Sequence, residues 1–384
     1  MRTIKELQLR VDPKNSFNER YDIEQDDKIH LLYVSPTLHA SGYYRMIAPA
    51  LEINKTDTHK AIITSIETND FSKKLSDFVN QLDERLITWA DYIIFPSLFS
   101  DVNYLIQAIK ILHPTVQLVM DVDRNYFAAS ISVPLSRKLT QEKLHHFENN
   151  LGLMDVATVA NEAFQKFLQR FIEDRLENAN TFVQFLPSLV SRFGYEEMPP
   201  LLRNNSEKLR IGLIQPTEED LLSLKEVLFL LRKTFEDKVE FVYCGKSHSS
   251  KEATKILKEL NCEIHNSVSF LDYFEKLNSL QLDIVLLPAK GGLFNRHQNS
   301  SLFLELSVFG IPVIASIHHP AKLLLKEGET GFLASELTDW VETVQLLIAD
   351  KELKQKMSSA LIKEVWRNAS YSAKNRKEFT SIFI

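Results

Sequence analysis

The stretch DIVLLPAKGGLFNRHQNSSLFLELSVFGIPVIAS, residues 283–316, predicts a strand, a loop, a helix and a second strand in immediate succession. Its apolar start ends at Pro288, and the polar residues 299–301 can cap a helix that Gly310 ends before the β-branched run 311–315. Continuous apolar strands joined through helices are typical of a parallel sheet covered on both faces. Ligands of such sheets bind at the carboxyl ends of the strands, where a helix N-terminus offers free N–H groups to a phosphate.

The same alternation of short apolar runs with amphipathic segments fills the chain in two blocks, which meet at a polar, aperiodic stretch. Strands are predicted at 29–35, 61–66, 92–95, 116–120, 156–160 and 182–185, and in the second block at 209–214, 239–243, 284–287 and 311–315. We therefore predict an α/β protein with two Rossmann-like domains that face each other across a cleft. The predicted parts are an N-terminal domain (1–190), a linker (191–207), a second domain (208–366) and a C-terminal helix (367–384) that packs back on the first domain.

The amino-acid composition and the net charge exclude several classes of protein. The 384 residues are 44% hydrophobic and 25% charged, which is ordinary for a globular protein and excludes a disordered or fibrous chain. A net charge of −6 argues against a general nucleic-acid binder. Only Cys244 and Cys262 occur, so no disulfide framework is expected. No apolar run reaches the roughly 18 residues that span a bilayer. We expect a cytoplasmic protein.

Several residues that can carry chemistry follow predicted strands of the first domain. Asp121 and Asp123 come directly after a buried strand, where a carboxylate can act as a general base, cap the next segment or pair with Arg124. His39 follows the first strand and is a second candidate base. Arg45 lies near a predicted helix start, where a cation is disfavoured, and is therefore a candidate ligand for an anion. No group of His, Asp or Glu has metal-ligand spacing, so neither a metal nor a cofactor is expected.

The segment from Phe294 to Ser316 resembles the nucleotide-sugar site of GT-B glycosyltransferases, in particular glycosyltransferase family four and related bacterial sugar transferases. Those proteins carry a Phe-Asn…Ser…Leu-Glu…Gly-Ile-Pro-Val-Ile-Ala-Ser pattern at this site. Residues 327–333 (EGETGFL) are similar to the turn that follows it. In the first block, residues 41–45 (SGYYR) resemble the family's Tyr-Arg helix start, and residues 121–127 resemble an Asp-x-Asp-Asp segment.

The resemblance implies a glycosyltransferase that moves a sugar from a nucleotide-diphosphate-sugar to a glycan, a lipid-linked or a protein acceptor in bacterial surface polysaccharide or glycoprotein synthesis. It favours retention of the anomeric configuration. The implied donor-binding residues are Gly212, Thr217, Lys290, Phe294, Asn295, Arg296, Ser300, Ser301 and Glu305, with Glu305 on the ribose. The implied acceptor or phosphate side is Ser41, Gly42 and Arg45, and the candidate catalytic residues are Asp121, Asp123 and His39. Basic patches at 208–210 and 137–143 are candidates for peripheral contact with the inner membrane surface, and no nucleic-acid partner is expected.

Two departures from the family pattern keep alternatives open. Family-four enzymes carry two glutamates in this segment, and His297 stands where the first would precede Glu305. The strand at 209–214 leads into Thr217-Glu-Glu-Asp220, which contains no cation to compensate a diphosphate. One alternative is a catalytically inactive GT-B homologue that serves as a partner or binding subunit of a glycosyltransferase. The other is a nucleotide-sugar epimerase on the same two-domain fold.

Overall fold

The computed structural model describes residues 1–67, 78–129, 139–176, 179–196, 200–246 and 250–384. Within these ranges, two six-stranded sheets follow one another along the chain, and every strand pair is parallel. The first sheet has the order β2-β1-β3-β4-β5-β6 and the second the order β12-β11-β10-β7-β8-β9. The strands are β1 (Ile29–Tyr33), β2 (His59–Ile63), β3 (Tyr92–Pro96), β4 (Gln117–Asp121), β5 (Val156–Val159), β6 (Phe182–Phe185), β7 (Leu209–Ile214), β8 (Val239–Gly245), β9 (Glu263–Asn266), β10 (Ile284–Leu287), β11 (Val313–Ser316) and β12 (Gly331–Ala334). The predicted α/β class with two Rossmann-like domains is confirmed.

Helices connect these strands and cover the sheets. They are α1 (Arg2–Arg10), α2 (Phe17–Arg20), α3 (Ala40–Gly42), α4 (Ala48–Ile53), α5 (Glu84–Trp89), α6 (Asn103–Leu112), α7 (Gln141–Gly152), α8 (Glu162–Arg175), α9 (Glu218–Ser223), α10 (Lys225–Phe235), α11 (Lys251–Glu259), α12 (Phe270–Ser279), α13 (Leu293–Arg296), α14 (Ser301–Val308), α15 (Leu337–Ala349), α16 (Lys351–Asn368) and α17 (Ala373–Thr380). A π-helical turn, Tyr43–Ile47, joins α3 to α4. Four short 3-10 turns complete the described helical segments: Tyr126–Ala128, Arg192–Gly194, Glu236–Lys238 and Pro320–Leu323.

The strand order fixes where ligands can bind. In the first sheet β1 lies between β2 and β3, and in the second β7 lies between β8 and β10, so the direction of winding reverses beside each domain's first strand. A crevice opens at such a switch point, beyond the carboxyl ends of the strands. Ser35 after β1 and Gln215 after β7 both have left-handed backbone, with φ of 46° and 47°, and turn the chain sharply there. Both domains therefore present their switch points to the space between them.

The structure corrects several element boundaries. Strands β9 and β12, at the two edges of the second sheet, were not predicted. β9 is polar and mostly exposed, and β12 begins inside residues 327–333, which the resemblance assigned to a turn. Between β7 and β8 the chain forms two helices, α9 and α10, that meet at Leu224. The strand predicted from Ile311 begins at Val313, because the N–H of Ile311 instead donates to the carbonyl of Leu306 at the end of α14.

The chain crosses between the domains twice at one place. Val190, just after the first domain, forms a parallel bridge with Ser370, near the point where the chain returns. Beyond it, α17 packs on the first domain, where Phe379 and Phe383 belong to the apolar cluster on one face of the first sheet. The carbonyl of Phe383 lies 3.0 Å from His59 Nε2, and Arg376 pairs with the buried Glu52 at 3.0 Å. The C-terminal segment is thus part of the first domain's structure.

Candidate functional site

The described residues line a cavity in each domain and a larger cavity between the domains. The first-domain pocket, at the carboxyl ends of β1, β3 and β4, is lined by His39, Ser41, Gly42, Arg45, Asp121 and Asp123, among others, and has a volume of about 60 Å³. The structure therefore brings together all the candidate catalytic and acceptor-side residues of this domain. Gly42 is required by close packing, since a Cβ at this position would lie 1.9 Å from the backbone oxygen of Thr37.

Arg45 and Asp121 form a buried ion pair inside this pocket. Arg45 Nη2 donates to Asp121 Oδ1 at 2.6 Å, Arg45 Nε donates to the same carboxylate at 3.0 Å, and a third donor reaches the carbonyl of Leu186. The Thr158 hydroxyl adds a hydrogen bond of 2.7 Å to Asp121. Burial raises the pKa of Asp121, and the Arg45 guanidinium opposes that effect. The guanidinium predicted to bind an external anion is thus already satisfied within the protein.

The carboxylate of Asp123 is also hydrogen-bonded within the protein. Its carboxylate accepts hydrogen bonds from Ser41 Oγ at 2.6 Å, from Arg124 Nη2 at 2.7 Å and from the Tyr126 hydroxyl. Burial alone raises the pKa of Asp123, but Arg124 and the two hydroxyl donors outweigh burial and hold the pKa at about 2. A carboxylate of such low basicity is a poor proton acceptor at neutral pH.

A second pocket lies in the second domain, beyond the carboxyl ends of β7 and β10, and has a volume of about 340 Å³. We call it the donor pocket, after the donor-binding residues that the resemblance implies. Its lining includes most of the predicted donor-binding residues: Thr217, Lys290, Phe294, Asn295, Ser300 and Ser301. The N-terminus of α14 opens onto this pocket at Ser301. Lys290 Nζ lies 3.1 Å from Glu219, so this cation is partly neutralised.

Three predicted donor residues do not line the donor pocket. Arg296 lines neighbouring cavities instead, and Gly212 and Glu305 are enclosed in the second domain. Gly212 lies inside β7, where a Cβ would come within 2.6 Å of Leu282 Cδ1, so its role is packing against the neighbouring segment. Glu305 is 3% exposed, lies one turn further along α14 than Ser301, and does not line the donor pocket. Burial raises the pKa of the Glu305 carboxyl to about 8, and the hydroxyls of Tyr273 and Tyr44 only partly oppose this. The structure therefore encloses Glu305 among tyrosines instead of presenting it to a ribose.

The central cavity, of about 660 Å³, lies between the domains. Lys166 and Ser188 line it from the first domain, and Arg296 and Lys322 line it from the second. It shares Gly292, Ser300, His319 and Pro320 with the donor pocket, so the two cavities adjoin. Burial lowers the pKa of His319 to about 4, which leaves the imidazole uncharged at neutral pH. The positive charge of the central cavity at neutral pH comes from its lysines and arginine.

The loop around α13 holds the two domains together. Asn161 Nδ2 donates to the carbonyls of Arg296 and Gln298, at 2.9 and 3.1 Å. Asn125 Nδ2 lies 2.9 Å from His297 Nδ1, and the His297 ring stacks on Phe164 with ring centroids 5.3 Å apart. Burial lowers the pKa of His297, so a neutral ring fills this contact. The residue that departs from the family pattern is therefore an interdomain contact.

Sequence reasoning missed Asn125 and Asn161. Asn161 follows β5 and caps α8, since its side chain accepts hydrogen bonds from the N–H groups of Ala163 and Phe164. The sequence does show an asparagine between a predicted strand and the segment that follows it. Helix capping alone explains an asparagine at such a position, so the sequence gives no sign of a contact with the other domain. The second role of Asn161, across the domain boundary, depends on tertiary structure. Phe294 also contacts both domains: it packs against the core of the first domain and lines the donor pocket of the second.

The described ranges show neither a metal-binding cluster nor a membrane-spanning helix. There, no group of three or more His, Cys, Asp and Glu side chains is arranged to hold a metal ion. No helix within those ranges has both the length and the apolar character needed to cross a bilayer. In the predicted basic patch 208–210, Arg210 pairs with Glu240 and Glu263, at 2.6 and 2.7 Å. Part of the patch 137–143 lies outside the described residues.

No protein-family model and no curated protein sequence matches the chain. Among solved structures, it is similar to a glycosyltransferase from Rickettsia africae, with 15% identity, a TM-score of 0.59, and coverage of 93% of this chain and 98% of that one. It is similar to Anabaena HepE in complex with UDP and glucose, with 13% identity, a TM-score of 0.55, and coverage of 92% and 98%.

Staphylococcus aureus TarM, solved with UDP, fondaparinux and alpha-GlcNAc-glycerol, is similar at 15% identity and a TM-score of 0.53. The match covers 78% of this chain and 58% of TarM, so the chain spans somewhat more than half the length of that protein. These likenesses confirm the predicted GT-B architecture, whereas membership of family four stays a prediction.

Proposed function

We propose that this protein is a glycosyltransferase that takes a sugar from a nucleotide-diphosphate-sugar and transfers it to an acceptor in the cleft. The observation that carries the proposal is the pair of adjoining cavities, the donor pocket and the central cavity, which share four lining residues. Volumes of about 340 and 660 Å³ lie in the range of sites that enclose small organic ligands. The position of these cavities, at the switch point of the second sheet and against the first domain, suits a donor on one side and an acceptor on the other.

The charges along these two cavities suit the donor's parts in order. The nucleoside would lie against Thr217 and Asn295 in the donor pocket. The diphosphate would face the N-terminus of α14, where the helix dipole favours an anion. The N–H of Ser301 donates to Asn299 Oδ1 at 3.1 Å, so the next N–H groups of the first turn and the Ser301 hydroxyl would have to make the contact. Arg296, which makes no ion pair within the described residues, would supply the compensating cation. The sugar would then extend into the central cavity. The fold likeness to HepE, a structure solved with UDP and glucose, supports the same assignment.

The residues of this chain would assist transfer mainly by position and charge. The α14 N-terminus and Arg296 would stabilise the charge that develops on the departing diphosphate. The α13 loop, held to the first domain through Asn161 and His297, would keep the two halves of the cleft together and limit the entry of water. Asp121 and Asp123 would orient the acceptor side through Arg45 and Ser41 rather than remove a proton.

Titration calorimetry with UDP-, GDP-, dTDP- and CMP-linked sugars tests the donor site on wild-type protein and on Ser301→Asp. An aspartate in the first turn of α14 favours the helix but repels a diphosphate, so we expect unchanged thermal stability and at least about tenfold weaker donor binding. The matched control is Ala373→Asp, which places the same charge in the first turn of α17, far from the cleft. Wild-type protein that binds none of the four sugar nucleotides, or equal affinities for both variants, would refute the proposed donor site.

A second candidate function is a nucleotide-sugar-binding subunit without transferase activity. It is favoured by the ion pairs that occupy the first-domain pocket, where both candidate catalytic carboxylates already have internal partners. Release of nucleoside diphosphate distinguishes the two functions. Acceptor-dependent release by the isolated protein supports the transferase, whereas donor binding with no release on any acceptor supports the binding subunit.

A further inference from the structure

A groove on the first domain continues the central cavity toward the outside. We call it the side groove; it is lined by Lys166, Phe167, Arg170, Phe171 and Arg175 of α8, and by Leu293 and Arg296 of the α13 loop, among others. Its volume is about 460 Å³. The side groove and the central cavity share Ala163, Lys166 and Arg296, so a chain lying in the groove can place its end in the cavity.

The side groove and the cavity concentrate positive charge on a protein whose net charge is −6. Lys166, Arg170, Arg175 and Arg296 line the groove, and Lys322 lines the cavity. None of these five cations makes an ion pair within the ranges that the structure describes. The like charges of Lys166 and Arg170, four residues apart on α8, oppose the helix by a few tenths of a kcal/mol.

The acidic residues beside these cations do not neutralise them. Glu162 lines the central cavity and Asp174 lines the groove. Glu162 precedes Lys166 by one helical turn and Asp174 follows Arg170 by one turn, yet neither forms an ion pair with its neighbour in the described structure. The balance of charge along the groove therefore remains positive.

Aromatic rings form an apolar floor beneath the cations. Phe171 stacks on Phe127 with ring centroids 4.2 Å apart, and Phe167 lies 6.3 Å from Phe171. The Arg175 guanidinium lies 5.5 Å from the centre of the Phe171 ring. A rigid apolar floor keeps water from one side of a bound chain and so strengthens the contacts of its charges with the cations above.

We propose that the side groove binds a polyanionic chain, a polymer with phosphate groups at intervals, and leads its end into the central cavity as the sugar acceptor. The cations follow one another along α8: Lys166 and Arg170 are about 6 Å apart along the helix axis and Arg175 is about 7.5 Å further on. This row is longer than one phosphate group can contact. A lipid phosphate carries its charge at one end only, so a repeating anion matches the row better. The acceptor role rests on the proposed transferase function, but the binding site does not.

Binding of short-chain inorganic polyphosphate by the full chain tests this proposal. We expect the double variant Lys166→Gln/Arg170→Gln to bind about tenfold more weakly than wild type. The slope of log affinity against log salt concentration should fall by about two, one for each cation removed. The matched control is Lys233→Gln/Lys258→Gln, which removes the same charge from exposed positions in the last turns of α10 and α11, and it should bind like wild type.

Three results would overturn the proposal. Equal losses in the two double variants would mean that polyphosphate senses only net charge. Orthophosphate that competes as well as polyphosphate would mean a single-anion site. Phosphatidylglycerol vesicles bound through Lys166 and Arg170, with no effect of these residues on polyphosphate, would mean a membrane surface.

The sugar-nucleotide titration, run on the same proteins, separates this inference from the proposed function. Polyphosphate binding through Lys166 and Arg170 without any donor binding would leave the groove established and the transferase function refuted. If the protein binds a sugar nucleotide but its polyphosphate affinity is the same with and without these two residues, only the proposed polyanion site in the groove is refuted.

Discussion

Replacing Glu305 with glutamine should remove a strong pH dependence from the stability of this fold. The carboxyl is 3% exposed, and burial raises its pKa from 4.5 to about 8. Between these two values the folded protein keeps a proton that the unfolded chain releases. The free energy of unfolding therefore falls as the pH rises from about 4.5 to about 8, and it levels off above that. A pKa difference of about 3.5 corresponds to about 5 kcal/mol, at about 1.4 kcal/mol for each pH unit.

Urea denaturation of wild type and Glu305→Gln, followed across this pH range, measures the effect. Glutamine has nearly the same shape but does not titrate, so the variant should gain on wild type steadily with pH, by several kcal/mol in total. The carboxyl of Asp123, with a pKa of about 2, titrates below this window and does not contribute. An exposed control, Glu329→Gln, should run parallel to wild type. If the Glu305→Gln curve also runs parallel to wild type, the carboxyl is not buried as described and the reasoning fails.

Two further predictions concern the first-domain pocket. Arg45→Met leaves a buried carboxylate without its partner and should lower the free energy of unfolding by about 3–5 kcal/mol. The control Lys356→Met, which breaks an exposed ion pair, should lower it by less than about 1 kcal/mol. Similar losses for the two variants in urea denaturation would contradict the buried pair. Gly42→Ala places a Cβ 1.9 Å from a backbone oxygen and should cost about 3 kcal/mol. Gly152→Ala, whose nearest contact is 3.6 Å, should be neutral or slightly stabilising; calorimetry that finds the two equal would rule out the close approach at Gly42.

The sheet interiors were predictable from the sequence because their strands are buried on both faces. The runs at β3 and β10 are continuously apolar, and that of β1 is interrupted only by His30; this pattern can be recognised without knowledge of the neighbouring strands. The edge strand β9 was not predicted for the opposite reason, since its residues are polar and mostly exposed. An edge strand is held by one neighbour and exposed elsewhere, so its composition carries little signal.

The candidate site was predictable as a location but not as a set of contacts. Because the carboxyl ends of parallel strands share one edge of a sheet, Asp121 and Arg45 could be expected close together. The ion pair between the Arg45 guanidinium and this carboxylate joins residues 76 positions apart in the sequence. Whether two such side chains meet depends on the tertiary structure, which the sequence pattern does not give. Glu305 shows the same limit, since a pattern of apolar residues predicts α14 but not which side of the helix faces the other domain.

The return of the chain to the first domain has a consequence for the order in which the protein can fold. Phe379 and Phe383 belong to the core of the first domain, yet every residue of the second sheet precedes them in the chain. During synthesis, the second domain therefore emerges whole while the first still lacks part of its core. Domains usually fold from the N-terminus as they are made. Here the first domain emerges first but cannot complete its core until the C-terminal segment has been made. Until then, part of its apolar surface remains exposed and can bind chaperones.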